Sequence, residues 1–464
     1  MTMTSRIAGL KRCYSAENSM IERFLALVDA APGAPALIDG ATGAVTTRAE
    51  FLARAVALSE QLSAAGLRRR DAVAIQLPNS VEFVAALLAA IRLDLVVFPL
   101  DRDATETEVA SILGHFAVRG LVYSNGFSVR ETGARPDVPA GARLVKLTSG
   151  STGMPKGIVA TETNLIADCV NICSTMRIRP DDVNLGAIPF SHSYGFSNLV
   201  TPLIVQGTAV VVSNDYLPQS LVDLANRFHC TVAPLIPMVF DHLANATQCS
   251  FETVRTFLSA GAPLPATTSR RFRERFGIDI HSFYGCSECG GITYDRRGAA
   301  VERGTVGSAM NGVTLATGDR RLEVHSGSVA AGYLFDARTF EPFPDGTFVT
   351  DDLVELRDGE VVLTGRASDL INTAGKKVNP REVEAVILQI EGVREARVYG
   401  HDAGARGEVV AAAIVATPNV TREQVREFCR ARLSLHKVPR IVKLIDRMPV
   451  DERGKVKRAM LAAL

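Results

Sequence analysis

Apolar runs of strand length alternate with longer amphipathic runs through the first part of the chain. This pattern predicts a helix over 49–65 capped by Thr47, a strand over 71–76, a helix from its caps Asn79 and Ser80 to Ile91, and strands over 95–100, 183–188, 208–213, 231–236 and 255–259. Strands that alternate with helices are typical of a mostly parallel sheet covered by helices on both faces.

The pattern changes after Gly298, where glycines become frequent and short alternating segments replace the helices. These segments predict hairpin strands over 321–325, 347–350, 353–356 and 361–364. Farther along, the spacing predicts helices over 380–390 and 421–433 and strands over 394–399 and 409–416. The sequence therefore predicts an α/β protein. Its large N-terminal domain, residues 1–365, has parallel-type sheets, flanking helices and a small β region, and its small α+β domain spans 366–464.

Composition excludes several classes of protein. The chain is 47% hydrophobic and 22% charged with a formal net charge of +1, so no nucleic-acid partner is expected. The most apolar stretch, 83–100, contains Arg92 and Asp94, which fits a buried helix and strand better than a membrane span. Eight cysteines form no tight framework and the N-terminus lacks the apolar core of a signal peptide, so a cytoplasmic location is expected.

The run from Lys146 to Gly157 has the chemistry of a polyphosphate site. A strand over 144–147 leads into a loop of hydroxyls and glycines that ends at Lys156. Glycine lets backbone N–H groups approach an anion closely, hydroxyls add donors, and the lysine adds a positive charge. A plain surface loop is the alternative. A Walker A loop is excluded because it needs Ser or Thr directly after the lysine, whereas Gly157 follows here.

This run closely resembles the signature of the adenylate-forming superfamily, which includes acyl-CoA synthetases and aryl-acid ligases, and the resemblance extends from about Thr46 to the C-terminus. It implies ATP, Mg²⁺ and the co-substrate CoA, a small-molecule carboxylic acid as substrate, and a mobile C-terminal lid with the active site between the two domains. It also implies that the signature binds ATP and AMP through Thr148, Ser149, Gly150, Ser151, Thr152, Gly153 and Lys156.

Two further segments resemble the nucleotide-binding parts of this family. The run from Phe283 to Glu288 implies that Phe283, Tyr284, Gly285 and Ser287 bind the nucleotide, and that Glu288 holds Mg²⁺, for which a carboxylate is a suitable hard ligand. Gly261, Ala262 and Pro263 would pass along the adenine, and they also fit an ordinary turn after a strand. Cys286 and Cys289 form a C-x-x-C, but they flank Glu288 without a second such pair, so neither metal nor redox use is expected.

The C-terminal third contains the remaining family segments. Asp352 matches the residue that binds the ribose hydroxyls, although Asp351 replaces the usual glycine before it, and Arg366 also reaches the ribose in this resemblance. Ser368 stands at the hinge, where the family usually has Asp or Lys. Lys455 takes the catalytic position, and Thr148, Glu288 and His192 complete the expected catalytic set. A lysine there can neutralise charge as the carboxylate attacks the α-phosphate.

The segment that precedes the acid pocket indicates a substrate without an α-amino group. Amino-acid-activating relatives place an Asp after a Phe here, whereas this chain has Ser191. Burying an ammonium without a partner is costly. Met238, Gly290 and Gly291 are apolar or small and permit an aryl or a medium to long acyl group. His192 either stands beside the substrate carboxylate or is a packed, hydrogen-bonded histidine.

Three functions are compatible with these residues. The first is an acid–thiol ligase that forms acyl-AMP and then acyl-CoA. The second is an acyl-AMP ligase that loads a carrier protein in trans, because the chain ends soon after Lys455 and no fused carrier is expected. The third is a non-catalytic nucleotide-binding protein on the same fold. The presence of the whole charged set argues against the third: Lys156, Glu288, Asp352, Arg366 and Lys455.

Overall fold

The computed structural model describes residues 19–148, 155–246, 250–373, 376–402, 408–449, 456 and 460–461. The chain forms two compact units. The first takes in the described residues up to Leu315 together with 324–348 and 358–361, and the second takes in 316–323, 349–357 and the described residues from Val362 onward. The division at residue 365 stays a prediction.

The helices match the predicted ones closely at their N-termini. Thr47 caps the helix that begins at Arg48 through a capping box with Glu50, and Ser80 caps the helix that begins at Val81. The helices are α1 (Met20–Ala30), α2 (Arg48–Ala64), α3 (Val81–Arg92), α4 (Glu106–His115), α5 (Glu162–Met176), α6 (Ser193–Gly195), α7 (Thr201–Val205), α8 (Pro218–Arg227), α9 (Pro237–Asn245), α10 (Ala266–Phe276), α11 (Pro380–Ile387) and α12 (Arg422–Arg430). A π-helical turn, Phe196–Val200, joins α6 to α7. Among the described residues, no helix is both long and apolar enough to cross a membrane.

The strands account for most of the predicted buried apolar runs. They are β1 (Pro35–Asp39), β2 (Val45–Thr47), β3 (Ala72–Gln76), β4 (Val96–Pro99), β5 (Gly120–Tyr123), β6 (Gly126–Val129), β7 (Ala142–Thr148), β8 (Lys156–Thr161), β9 (Val183–Gly186), β10 (Ala209–Val212), β11 (Val232–Leu235), β12 (Thr256–Ser259), β13 (Ile280–Cys286), β14 (Gly290–Tyr294), β15 (Ser308–Ala309), β16 (Val313–Gly318), β17 (Arg321–Ser326), β18 (Gly332–Asp336), β19 (Thr339–Pro342), β20 (Thr347–Arg357), β21 (Glu360–Arg366), β22 (Ile371–Thr373), β23 (Lys376–Val378), β24 (Val393–Asp402), β25 (Glu408–Ala416) and β26 (Ile441–Leu444).

Two sheets with largely parallel centres form the first unit. One has the order β2-β1-β10-β9-β11-β12-β13-β14-β15, and its run from β1 to β13 is parallel. The other is eight-stranded with the order β19-β18-β8-β7-β4-β3-β5-β6, and β7, β4, β3 and β5 are parallel within it. The central strands are buried apolar runs, as a sheet covered on both faces requires. The mixed α/β fold predicted from the sequence is confirmed.

The second unit contains the strands of the C-terminal region. The interpretation of 347–350 and 353–356 as separate strands is wrong, because β20 is continuous from Thr347 to Arg357. Asp351 and Asp352 both lie within this strand, and Arg366 of β21 pairs with Asp352 there. Farther along, β24 pairs antiparallel with β25, which pairs parallel with β26, and α11 and α12 pack on them over a buried apolar cluster.

Asn79 connects the two sheets of the first unit rather than capping α3 as predicted. Its side-chain N–H donates to the carbonyls of Gly186 (3.2 Å) and Ile188 (2.9 Å), and its side-chain oxygen accepts from the N–H of Phe190 at 2.7 Å. Only 7% of the residue is exposed. Asn79 therefore satisfies the backbone of the loop that leads from β9 to His192.

We expect Asn79→Ala to destabilise the protein by about 2 kcal/mol, because it leaves buried backbone groups without partners. Urea unfolding followed by circular dichroism measures the change. Asn245→Ala is the matched control, because Asn245 is exposed and hydrogen-bonds at the surface to Asp241 on its own helix and to Arg271 of α10, and it should cost less than about 0.5 kcal/mol. Equal stability losses in the two variants would contradict this role for Asn79.

Candidate active site

The glycine-rich loop connects two paired strands, which distinguishes it from a P-loop. Thr148 ends β7, Lys156 begins β8, and the two strands are antiparallel with Thr148 opposite Lys156. The Thr148 hydroxyl donates to the Lys156 carbonyl at 3.4 Å. A strand rather than a helix follows Lys156, so the exclusion of a Walker A loop is confirmed. Ser149, Gly150, Ser151, Thr152 and Gly153 lie outside the described residues, as does Lys455, and their roles stay predictions.

Glu288 lies in the turn between β13 and β14 and is held by the segment that leads into β18. Its carboxylate Oε1 accepts a hydrogen bond from the Tyr333 hydroxyl at 2.8 Å, and its backbone carbonyl accepts from the N–H of Ala330 at 2.8 Å. The ammonium of Lys156 lies 3.5 Å from the centroid of the Tyr333 ring. The structure thus connects the predicted metal ligand to the predicted phosphate-binding lysine through one tyrosine.

Ser287, the residue before this carboxylate, contacts the segment that leads into the predicted acid pocket. Its hydroxyl lies 2.8 Å from that of Ser193, the first residue of α6. Tyr194 follows, and its hydroxyl donates to the carbonyl of Leu258 at 2.9 Å while its ring packs 5.8 Å from that of Phe283. Phe283 itself is buried, whereas Tyr284 is half-buried and Gly285 is exposed. The loop between β13 and β14 and the start of α6 are therefore adjacent.

Two charged residues for which the sequence predicts no role of their own lie buried beside this turn. Lys146 lies in β7, and Asp168 lies in α5. Burial lowers the pKa of Lys146, and the charge of Asp168 opposes that shift. Asp168 accepts hydrogen bonds from the Ser197 hydroxyl at 2.6 Å and from the Gly291 N–H at 2.9 Å. Asp168 therefore fixes the start of β14.

Gly290 also shows how tightly Asp168 packs on that turn. The backbone of Gly290 has φ +70°, and a Cβ at this position would overlap the Asp168 carboxylate. Gly291 in turn packs on Phe283 and Met310. Both glycines predicted to line the acyl pocket are thus required by the local packing, and lining the pocket stays a prediction for them.

Cys289 has the properties of a neutral thiol. Its hydrogen bond to the side chain of Cys286, together with burial, raises the pKa of Cys289 well above its ordinary value. Metal ligation and nucleophilic chemistry require a thiolate. Among the described residues, no three His, Cys, Asp or Glu side chains are grouped so that they could hold a metal ion. Glu288 nevertheless fits Mg²⁺, which is commonly bound by one carboxylate together with the phosphates of a nucleotide.

Three of the residues predicted to surround the acid, Ser191, His192 and Met238, are at least partly exposed. Ser191 and His192 precede α6, and the His192 Nε2 lies 3.9 Å from a carboxylate oxygen of Asp101, which follows β4. Met238, in the first turn of α9, is half exposed.

Gly261, Ala262 and Pro263, which were predicted to pass along the adenine, are exposed just after β12, and Gly261 has φ +85°. The chain therefore bends directly after this strand, and the contact of these three residues with adenine stays a prediction.

In the second unit, the two residues predicted to bind ribose form an ion pair. The Arg366 Nε donates to the Asp352 carboxylate at 3.0 Å, and Asp352 is 8% exposed. Burial disfavours the charged guanidinium, but the carboxylates of Asp352, Asp369 and Asp351 together outweigh it and raise the pKa of Arg366. Asp351 accepts hydrogen bonds from both the backbone N–H and the hydroxyl of Ser368. The two positions that depart from the family pattern, 351 and 368, are therefore partners.

Lys146, Asp168 and Tyr333 contact the site although no role was predicted for them, and they differ in whether the sequence contains a signal that identifies them. Lys146 interrupts a buried strand and Asp168 interrupts the apolar face of a helix, and a charge in an apolar pattern is a signal that could have identified both. Tyr333 has no such signal, because its partner Glu288 lies 45 positions away.

Comparison with known proteins covers almost the whole chain. The profile of a family described as AMP-binding enzyme matches residues 25–146 and 139–335, and the profile of its C-terminal domain matches 382–455. A feruloyl-CoA synthase of an Amycolatopsis species is 28% identical over 456 residues, which cover 89% of this chain and 93% of the relative. A long-chain-fatty-acid–CoA ligase of Mycobacterium tuberculosis is 25% identical over 480 residues, with coverages of 93% and 95%. The crystal structure of ATP-bound MatB from Rhodopseudomonas palustris is 27% identical, covers 96% of this chain and 98% of its own, and has a TM-score of 0.81.

Proposed function

This chain belongs to the AMP-binding enzyme family, and from that premise we propose that it activates a carboxylic acid lacking an α-amino group with ATP and then transfers the acyl group to CoA. In the first step, a carboxylate oxygen attacks the α-phosphorus of ATP, the bond to the bridging oxygen breaks, and pyrophosphate leaves. In the second, the thiol of CoA loses its proton and attacks the acyl carbon, and AMP leaves. The observation that carries this proposal is the connection from Lys156 through Tyr333 to Glu288 beside the glycine-rich loop.

The residues of the chain divide this work between them. Lys156 and the loop that Thr148 begins supply positive charge and donors for the phosphates. Glu288 is the ligand proposed for Mg²⁺, which when bound neutralises phosphate charge. Asp352, already ordered by Arg366, presents a carboxylate that accepts hydrogen bonds from ribose hydroxyls. Ser191, His192, Met238, Gly290 and Gly291 are proposed to surround the acid.

Both steps are tested by one screen. Purified protein is incubated with ATP, Mg²⁺ and a panel of aryl and straight-chain acids, and pyrophosphate release is measured with and without CoA. We expect acid-dependent release, and acyl-CoA only when CoA is present. Release of pyrophosphate without any acyl-CoA would contradict the second step, and no acid-dependent release would contradict the first.

The scattered cysteines support a cytoplasmic setting for this reaction.

The metal assignment gives a separate prediction. Glu288→Gln keeps the shape of the side chain but removes the anionic ligand, so the Mg²⁺ concentration for half-maximal pyrophosphate release should rise by at least about tenfold. A zinc-selective chelator should leave the activity of the unmodified protein unchanged. Stoichiometric zinc in the purified protein, measured by atomic emission, would show that Cys286 and Cys289 are ligands after all.

A further inference from the structure

Tyr333 makes two contacts with residues of the proposed phosphate site, and no family motif identified in the sequence includes it. Its hydroxyl donates to Glu288 at 2.8 Å, and its ring lies 3.5 Å beneath the ammonium of Lys156. We propose that Tyr333 is a positioning residue that orients the metal-binding carboxylate with its hydroxyl and the phosphate-binding ammonium with its ring. This inference rests on the proposed function and adds a residue to its site.

The register of the eight-stranded sheet explains why one side chain reaches both partners. Tyr333 in β18 lies opposite Ile158 in β8, and Lys156 is two residues before Ile158 on the same strand. Directly opposed residues share a face of the sheet, as do residues two apart on one strand, so Lys156 is a diagonal neighbour of Tyr333. The strand pairing therefore places the ammonium over the ring.

Neighbouring residues hold the Tyr333 ring and the preceding backbone in place. Phe343 packs edge-on against the Tyr333 ring with the centroids 4.7 Å apart. Ser328 and Ala330, just before β18, donate hydrogen bonds of 2.8 Å to the carbonyls of Cys289 and Glu288. The segment from Ser328 to Tyr333 thus holds both the backbone and the side chain of the Glu288 turn.

The chemistry of the two contacts suits a site that must bind Mg²⁺ and phosphate together. The Tyr333 hydroxyl donates a hydrogen bond to Oε1 of the Glu288 carboxylate. This hydrogen bond fixes the orientation of the carboxylate and leaves its other oxygen for the metal. An aromatic face attracts an ammonium without neutralising it. The ring therefore holds the Lys156 ammonium without supplying a negative counter-charge, so the ammonium can still attract an anion. A carboxylate in the place of the ring would supply that counter-charge.

Two substitutions separate the contacts. Tyr333→Phe keeps the ring and removes the hydroxyl, and Tyr333→Leu removes both. Tyr123→Phe, at the partly exposed end of β5, is the matched control for loss of a phenol. The first readout needs no catalysis: binding of Mn²⁺ in the presence of ATP, followed by electron paramagnetic resonance. The second is the Mg²⁺ dependence of pyrophosphate release, and the third is KM for ATP at saturating Mg²⁺.

We expect Tyr333→Phe to weaken Mn²⁺ binding and raise the Mg²⁺ requirement by about tenfold, as loss of a hydrogen bond to a metal ligand does. KM for ATP at saturating Mg²⁺ should stay within about twofold of the unmodified protein, because the ring still orients Lys156. Tyr333→Leu should show the same metal defect together with a KM for ATP raised by about fivefold. Tyr123→Phe should change none of these values.

Unchanged Mn²⁺ binding and unchanged Mg²⁺ dependence in Tyr333→Phe would overturn the inference, even if Tyr333→Leu fails to fold. The failure of the proposed function is distinguishable from this result. If no acid drives pyrophosphate release but Tyr333→Phe weakens Mn²⁺ binding with ATP, the positioning role stands and the proposed reaction falls. If the unmodified protein is active and Tyr333→Phe matches it in every readout, the reaction stands and the positioning role falls.

Discussion

Lys455→Ala should reduce acyl-adenylate formation by about a hundredfold or more. The segment around Lys455 resembles the family's C-terminal catalytic motif, and a lysine at that position would balance the negative charge that develops when the acid attacks the α-phosphate. Loss of a group that stabilises transition-state charge typically costs this much. ATP–pyrophosphate exchange in the presence of an accepted acid measures the step directly.

The same variant also distinguishes the two half-reactions. The family resemblance implies that Lys455 acts in adenylation and leaves the reacting centre before the thioester step. Lys455→Ala should therefore form acyl-CoA from supplied acyl-AMP at nearly the normal rate. Lys457→Ala is the matched control, because it removes a lysine two positions away that lies outside the motif. Normal adenylation by Lys455→Ala, or an equal loss in Lys457→Ala, would refute the assignment.

Phenylalanine should be at least about a hundredfold poorer than phenylpropanoic acid in ATP–pyrophosphate exchange. The two acids differ by the α-ammonium, and Ser191 stands where amino-acid-activating relatives have the carboxylate that pairs with it. Leaving a buried charge without a partner costs several kcal/mol, and each 1.4 kcal/mol is about tenfold in binding. Exchange rates measured side by side at equal concentrations give the ratio.

A substitution at Ser191 tests whether the missing carboxylate causes this preference. Ser191→Asp supplies the missing carboxylate, so it should narrow the preference for phenylpropanoic acid by weakening binding of the neutral acid and improving that of phenylalanine. Ser193→Asp places the same charge two residues away at the start of α6 and should not improve phenylalanine. If the unmodified protein used phenylalanine and phenylpropanoic acid equally well, a residue other than Ser191 would have to supply the carboxylate that pairs with the α-ammonium.

Local sequence was sufficient wherever a few neighbouring residues determine the outcome. The capping box of Thr47 and Glu50 placed the start of α2, and the apolar runs of β3, β4 and β11 predicted buried parallel strands. The Lys146–Gly157 run likewise excluded a P-loop, because Gly157 stands where a P-loop needs Ser or Thr, and a strand follows Lys156 in the structure. Backbone preferences and side-chain periodicity act over a few residues, so such features are visible in one sequence.

Tertiary structure alone decided the contacts that join distant segments. Asn79 had the sequence context of a helix cap but binds the 186–190 loop, since several buried backbone groups there need partners. The segments 347–350 and 353–356, predicted as separate strands, are one strand, β20, in which an arginine from the next strand pairs with Asp352. The Tyr333–Glu288 hydrogen bond depends on strand pairing across the sheet, and local periodicity carries no information about such pairing. The sequence by itself thus determined the elements and the chemistry available to them, and packing decided which side chains meet.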